Sequence, residues 1–279
     1  MPFAFGQTSF VTVNGLRLAY NEVSPQQPRG TILLLTGLAA KRYGWYKQLD
    51  EFGRFYRTIA LDHCDISDSD EVTEFYAITD LADDAAGALH ALGVERANVI
   101  GISMGGFVTL HLALRHPELV EKLVLVSTSA GGKTSEQASA ETLALLNNRG
   151  SGAEPGEIAR NIYTQIMGPG YAASHPREME TIVQNARYRP QTTASYFRQL
   201  QAIAGHDASQ QLSRIYAPTL VIHGEADPLV PFANGQYLAR HIPGARLIAY
   251  PGVGHIPIIE NAEQFNRDVM EFLIREPHT

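Results

Sequence analysis

The sequence predicts an α/β fold: a mostly parallel central sheet flanked by helices, interrupted once by an inserted helical segment. Three observations predict it. Short apolar runs alternate with helix-like segments along most of the chain, which is the pattern of parallel strands joined by crossover helices. The runs are continuously apolar rather than alternating in polarity, as strands covered on both faces require. One stretch, from about residue 132 to 212, breaks the rhythm, with helical patches and no convincing strand.

Taken in order, residues 10–13 and 16–20 flank Asn14-Gly15, the favoured pair for a type I′ turn, and predict an antiparallel hairpin. Apolar runs at 31–35, 56–61, 98–102, 122–126, 219–222 and 245–250 are the remaining strands, and helical spacing is expected at 43–52, 79–92, 104–115, 232–241 and 262–274. In the irregular stretch the helical patches are 141–146, 157–167 and 193–204. The run 147–156, rich in Gly and Asn, is expected to be a mobile loop, and Met167-Gly168-Pro169-Gly170-Tyr171 a kink. The expected organisation is a core formed by 1–132 and 213–279, with 133–212 inserted as a helical cap.

Composition narrows the function classes. With 279 residues and 44% hydrophobic content, the chain can bury a sizeable core. No stretch reaches the length of a membrane span and no signal peptide opens the chain, so a cytoplasmic location is expected. The single cysteine, Cys64, excludes an internal disulfide and a cysteine-based zinc site. A net charge of −7 without a basic stripe argues against nucleic acid and for a small-molecule substrate, and no motif calls for a cofactor or metal.

The chemistry is carried by Gly101-Ile102-Ser103-Met104-Gly105-Gly106, which closes a strand and opens a helix. A serine in that context sits on a tight turn whose neighbours must lack side chains, which makes Ser103 the candidate nucleophile. A serine hydroxyl needs a base, and the base an orienting acid. Asp227, in His223-Gly224-Glu225-Ala226-Asp227, and His255, in Gly252-Val253-Gly254-His255, each follow a strand's carboxyl end, where ligand sites of open α/β sheets lie. Glu225 competes for the acid role, but the two-residue offset and the following Pro228 favour Asp227.

In these motifs and their chain order the sequence resembles the α/β-hydrolase fold superfamily, in its capped branch of esterases, lactonases and carbon–carbon-bond hydrolases, over nearly its whole length. The resemblance implies Ser103 as nucleophile, His255 as general base and then acid, and Asp227 as the group that orients the imidazole. An oxyanion hole is then required, with backbone N–H groups of Met104 and, from the loop after the third strand, Leu38. That loop departs from the family, with Thr36-Gly37 where a His-Gly pair is usual. The segment 61–70, rich in Asp, also departs, and its His63, Cys64 and carboxylates invite a metal reading that ordinary turn chemistry explains better.

His111, His116 and His223 are read as packing or hydrogen-bonding residues. Tyr163, Met167, Tyr171, Tyr188, Tyr196 and Phe197 fit either the core of the insertion or a pocket wall. The leading expectation is a serine hydrolase of a small ester or lactone acting through an acyl-enzyme. The alternatives are carbon–carbon cleavage of a ring-cleavage diketone, perhydrolysis, and a non-catalytic small-molecule binder on the same fold.

Overall fold

The computed structural model describes residues 6–147 and 153–275. Among them, eight strands form one sheet in the order β1-β2-β4-β3-β5-β6-β7-β8. The hairpin pairs β1 (Ser9–Val13) with β2 (Leu16–Val23) across Asn14 and Gly15, both at positive φ as the I′ turn demands. β2 runs antiparallel to β4 (Arg57–Leu61); from there β3 (Thr31–Leu35), β5 (Ala97–Ile102), β6 (Val120–Val126), β7 (Thr219–Gly224) and β8 (Arg246–Tyr250) pair in parallel.

The parallel strands separate two hydrophobic layers. Leu33, Leu35, Val99, Leu123 and Leu125 face α2 (Ile78–Ala91), α3 (Met104–Arg115) and α9 (Phe232–His241). Ile32, Leu34, Ile100, Val124 and Val126 face α1 (Leu49–Gly53) and α11 (Ala262–Ile274). Alternate residues thus serve opposite layers, which is why the runs carry no polar alternation.

The helix expected at 43–52 is instead a 3₁₀ turn over Arg42–Trp45 followed by the single turn of α1. Tertiary demand overrides the periodicity here. Arg42 is fully buried, its guanidinium paired with Asp62 and, at 2.8 Å, with Asp68, while Nη2 also donates to Tyr43 at 2.6 Å. A buried arginine needs all those acceptors, and a regular helix would not deliver it to them.

Between β6 and β7 the chain leaves the sheet for α4 (Ala140–Asn147), α5 (Pro155–Ile166), α6 (Tyr171–Ser174), α7 (Pro176–Arg187) and α8 (Thr193–Ala204). Of the loop expected at 147–156, residues 148–152 lie outside the described residues; after them, Glu154 caps α5 by accepting from Gly156 and Glu157 N–H. The kink before α6 turns on Gly170, in the left-handed region at φ 79°. α7 was not among the expected helices, although Pro176 at its first turn and the spacing of buried Met179, Ile182 and Val183 signal it.

The Asp-rich segment 61–71 is where this helical excursion docks. Arg198 of α8 meets Asp65 in two bonds of 2.8 and 2.9 Å, and Glu71 accepts from Thr192 and Ser195 hydroxyls at 2.7 Å each. Arg189 pairs with Asp68 at 2.7 Å. Burial works to raise the Asp65 carboxyl, but Arg198 and the Val72 N–H outweigh it and hold it below the usual carboxylate range. Lys41 adds a tie, its ammonium donating to the carbonyls of Asn185 (2.6 Å), Ala186 (3.1 Å) and Tyr188 at the end of α7.

The α3–β3 crossing is a tight constraint near the site. A Cβ on Gly105 would lie 2.3 Å from Leu35 O and 2.6 Å from Thr36 O, both backbone atoms with no room to move. Gly105→Ala is therefore expected to lose about 3 kcal/mol of unfolding free energy in urea titration; an unchanged midpoint would contradict the close approach.

Candidate active site

Ser103 connects β5 to α3 at φ 56°, ψ −122°, a conformation that costs a non-glycine residue about 1–3 kcal/mol and persists only when its surroundings enforce it. They do so through backbone. Ser103 N–H donates to Val126 O at 2.9 Å, and Ser103 O accepts from Gly106 N–H at 2.9 Å and from Thr128 Oγ1 at 2.8 Å. A Cβ on Gly101 would meet Gly105 O at 2.3 Å, and one on Gly37 would press Ser103 Cβ at 3.0 Å. The glycines of the motif are thus steric necessities of the turn.

His255 follows β8 in a turn and is buried; its Nδ1 lies 2.8 Å from Asp227 Oδ2. A carboxylate only accepts, so Nδ1 carries the proton and Nε2 is left as the basic nitrogen. Asp227 Oδ1 accepts from the N–H groups of Leu229 and Val230, both at 2.9 Å, which fixes the carboxylate plane. Burial works to raise the Asp227 carboxyl, but His255, joined by His223, outweighs it and lowers it to about 2.

His223 supports from below. Its Nε2–H donates to Val230 O at 2.8 Å and stands 3.4 Å from Asp227 Oδ2, with the ring fully buried. It is a hydrogen-bonding residue, not a second base at the cavity. Glu225 is exposed and takes no part.

Ser103, His255, Leu38 and Met104 line one cavity of about 550 Å³ between the carboxyl ends of the strands and the helical excursion. Among the described residues, no acceptor is recorded for the N–H of Leu38 or of Met104. The loop that carries Leu38 is held from two sides. Thr36 donates its hydroxyl to Ala40 O at 3.0 Å, and Ala39, at φ 56°, gives its N–H to Gln199 Oε1 of α8 at 3.0 Å.

The remaining residues fall into place as follows. His111 Nε2 meets His206 Nδ1 at 3.1 Å, and His206 stacks on Phe107 with ring centroids 4.1 Å apart. Burial pushes the His206 imidazole down to about 3, so both rings pack as neutral groups. His116 bonds Asp83 at 2.8 Å. Burial pushes the Cys64 thiol well up, which removes it as a nucleophile. Of the six residues singled out in the insertion, Tyr163 and Tyr196 line the cavity, Met167, Tyr171 and Tyr188 join the packed layer, and Phe197 is exposed. Sequence reasoning passed over Lys41, Gln199 and Glu260, each of which reaches a partner 92 to 160 residues away. Among the described residues no group of histidines, cysteines and carboxylates is arranged to hold a metal, and no helix is long and apolar enough to cross a membrane.

A serine on a strained strand-to-helix turn, a buried aspartate–histidine pair and the Leu38 loop, all at strand carboxyl ends, are the arrangement of the α/β-hydrolase class. The profile of the alpha/beta hydrolase fold matches residues 30–262, and the chain belongs to that family. It is 31% identical over 273 residues to the "Putative carbamate hydrolase RutD" of Caulobacter sp. (strain K31), covering 95% of this chain and 98% of that one. It is 33% identical over 272 residues to the 2-hydroxy-6-oxononadienedioate/2-hydroxy-6-oxononatrienedioate hydrolase of Burkholderia vietnamiensis (strain G4 / LMG 22486), covering 93% and 92%. The solved enol-lactonase from Burkholderia xenovorans LB400 superimposes with a TM-score of 0.84 at 25% identity, over 96% of this chain and all of that one. The protein is accordingly an enzyme of the hydrolase type.

The lowered Asp227 carboxyl carries a pH signature. With a folded value of about 2 against 3.8 unfolded, it contributes about 2 kcal/mol above pH 4, and this is lost as pH falls through 2. The stability gap between the parent and Asp227→Asn, from urea titrations at stepwise lower pH, should narrow by about that amount below pH 4. A gap independent of pH would contradict the assignment.

Proposed function

We propose that the protein is a serine hydrolase of small, uncharged carboxylic esters or lactones, working through an acyl-enzyme. One observation carries the reading: Ser103, on its strained turn, shares a cavity wall with His255, whose Nδ1 is already committed to Asp227. Nε2 is then the nitrogen left to take the Ser103 proton as Oγ attacks the carbonyl carbon. The new oxyanion sits against the N–H groups of Leu38 and Met104, two donors that have no protein acceptor among the described residues. Collapse breaks the acyl–oxygen bond, and the departing alkoxide takes the proton from His255. A water, deprotonated by the same Nε2, then attacks the acyl carbon; the acid leaves and Ser103 Oγ recovers its proton. Residues 133–212 act as the cap that encloses the acyl part.

The cavity wall supports an uncharged substrate. Ile158, Ile162, Ile182, Ile203 and Leu229 make it largely apolar, and Glu136 stands exposed at its edge. Lys41 also reaches the wall, but its ammonium N–H groups point to three carbonyls of the chain. A dicarboxylate such as the dioate in the Burkholderia vietnamiensis relative's name would meet little there to offset its desolvation. Carbon–carbon cleavage remains the second reading, supported by that 33% identity.

A substrate panel separates them. Neutral activated esters and lactones should reach a kcat/KM of about 10⁴ M⁻¹s⁻¹, and Ser103→Ala should lower this by about 10⁴-fold with an unchanged circular dichroism spectrum. Turnover confined to dioate ring-cleavage diketones, or near-normal hydrolysis by Ser103→Ala, would overturn the reading. Binding without turnover would leave the non-catalytic alternative standing in its place.

A further inference from the structure

The turn that carries His255 has no regular secondary structure to fix it, yet a general base must hold its nitrogen to within a fraction of an ångström. The fixing comes from one carboxylate. Glu260 Oε2 accepts the N–H of Gly254 at 2.9 Å and the N–H of Gly168 at 2.7 Å, and Oε1 accepts the N–H of Ile256 at 2.9 Å. The two residues that bracket His255 are thus held by one side chain, which also holds Gly168 at the end of α5. His255 N–H itself donates to Ile166 O at 2.8 Å, so the base and the helical excursion share a second tie two residues away. The contact is close enough to exclude side chains. A Cβ on Gly254 would lie 2.4 Å from Gly168 N, and one on Gly168 would lie 2.2 Å from Gly252 O.

We infer that Glu260 is a positioning residue for His255, clamping the histidine turn to residues 166–168 so that the base is set by the seating of the helical excursion. The inference rests on the reading of His255 as the general base. A carboxylate suits the task because it accepts on both oxygens and donates on neither, so it satisfies N–H groups on two sides at once. An amide cannot. Glu260→Gln offers one accepting oxygen and turns an NH₂ group toward a backbone N–H, loosening one side of the clamp at nearly unchanged volume. An ordinary helix-capping role for Glu260 would predict lost stability alone, since α10 (Pro257–Glu260) begins at the same turn.

The test uses the full-length protein and a fluorophosphonate probe, which labels a serine only as fast as its base removes the proton. Two quantities are read: the final labelled fraction, which counts competent sites, and the rate constant per competent site. Glu260→Gln is expected to label to near full stoichiometry with a rate constant about 10- to 100-fold lower, the scale set by a misplacement of about 1 Å. Its kcat on a neutral activated ester should fall in parallel. Glu260→Asp, which keeps the charge and withdraws the carboxylate by one methylene, should fall between the two. A parent-like rate constant per site in Glu260→Gln, whether or not stoichiometry drops, would overturn the positioning role, because the clamp would then matter for folding only. If the Gln variant yields no folded protein, the same rate constant in Glu260→Asp decides: slowed supports the clamp, unchanged overturns it. Failure of the underlying reading is distinguishable, since Ser103→Ala would then still take up label, or the parent would take up none.

Discussion

Everything at this site depends on the backbone packing that keeps Ser103 at positive φ. The strain is local and modest, but no side chain alone could sustain it; it is sustained because Gly37, Gly101 and Gly105 let three segments of backbone touch. Once β3, β5 and α3 are locked at that distance, the Leu38 and Met104 N–H groups are set beside the serine without further cost. Preorganised donors of this kind need no reorganisation when charge develops. The same contact fixes the loop that begins at Thr36. What the loop supplies is backbone, and the Thr36 hydroxyl and Gln199 hold that backbone in place.

The second half of the site is built by a different means. Asp227 and His255 sit on loops after β7 and β8, and polar bonds align them beside a close backbone approach of Gly254 to Gly168. Asp227 is held by two backbone N–H groups, and the His255 turn by Glu260. The helical excursion takes part on both sides, through Gln199 at the Ala39 N–H and through Ile166 and Gly168 at the His255 turn. Its docking on Asp65, Asp68 and Glu71 is therefore linked to the geometry of the Ala39 loop and the His255 turn. Buried or half-buried ion pairs of this kind add little net stability, but removing one partner leaves a stranded charge.

The sheet and the site were legible in the sequence to different depths. Continuous apolar runs gave the strands because each is covered on both faces, and Gly101, Gly105 and Gly106 marked the nucleophile turn because sterics leave no other residue there. Asp227 and His255 could be found because strand order brings the carboxyl ends of β7 and β8 together. The short helices failed where tertiary contacts decide: Arg42 bends 42–53 out of one helix to reach Asp62 and Asp68. Gln199 carried no local signal, and Glu260 only that of a helix end, since the Ala39 and Gly168 N–H groups they hold are brought near by folding. The wall of the cavity was illegible for a similar reason, as Tyr163 faces it while Phe197, equally aromatic, lies outside.

The central claim is that Ser103, His255 and the Leu38 and Met104 N–H groups act on one carbonyl. The most direct measurement is a crystal structure of the protein with a boronic acid that mimics the tetrahedral intermediate. The account predicts a covalent bond from Ser103 Oγ to boron, with one boronate oxygen about 2.7–3.1 Å from both N–H nitrogens and another facing His255 Nε2. An adduct on a different residue, or a boronate oxygen turned away from Leu38 and Met104, would contradict it.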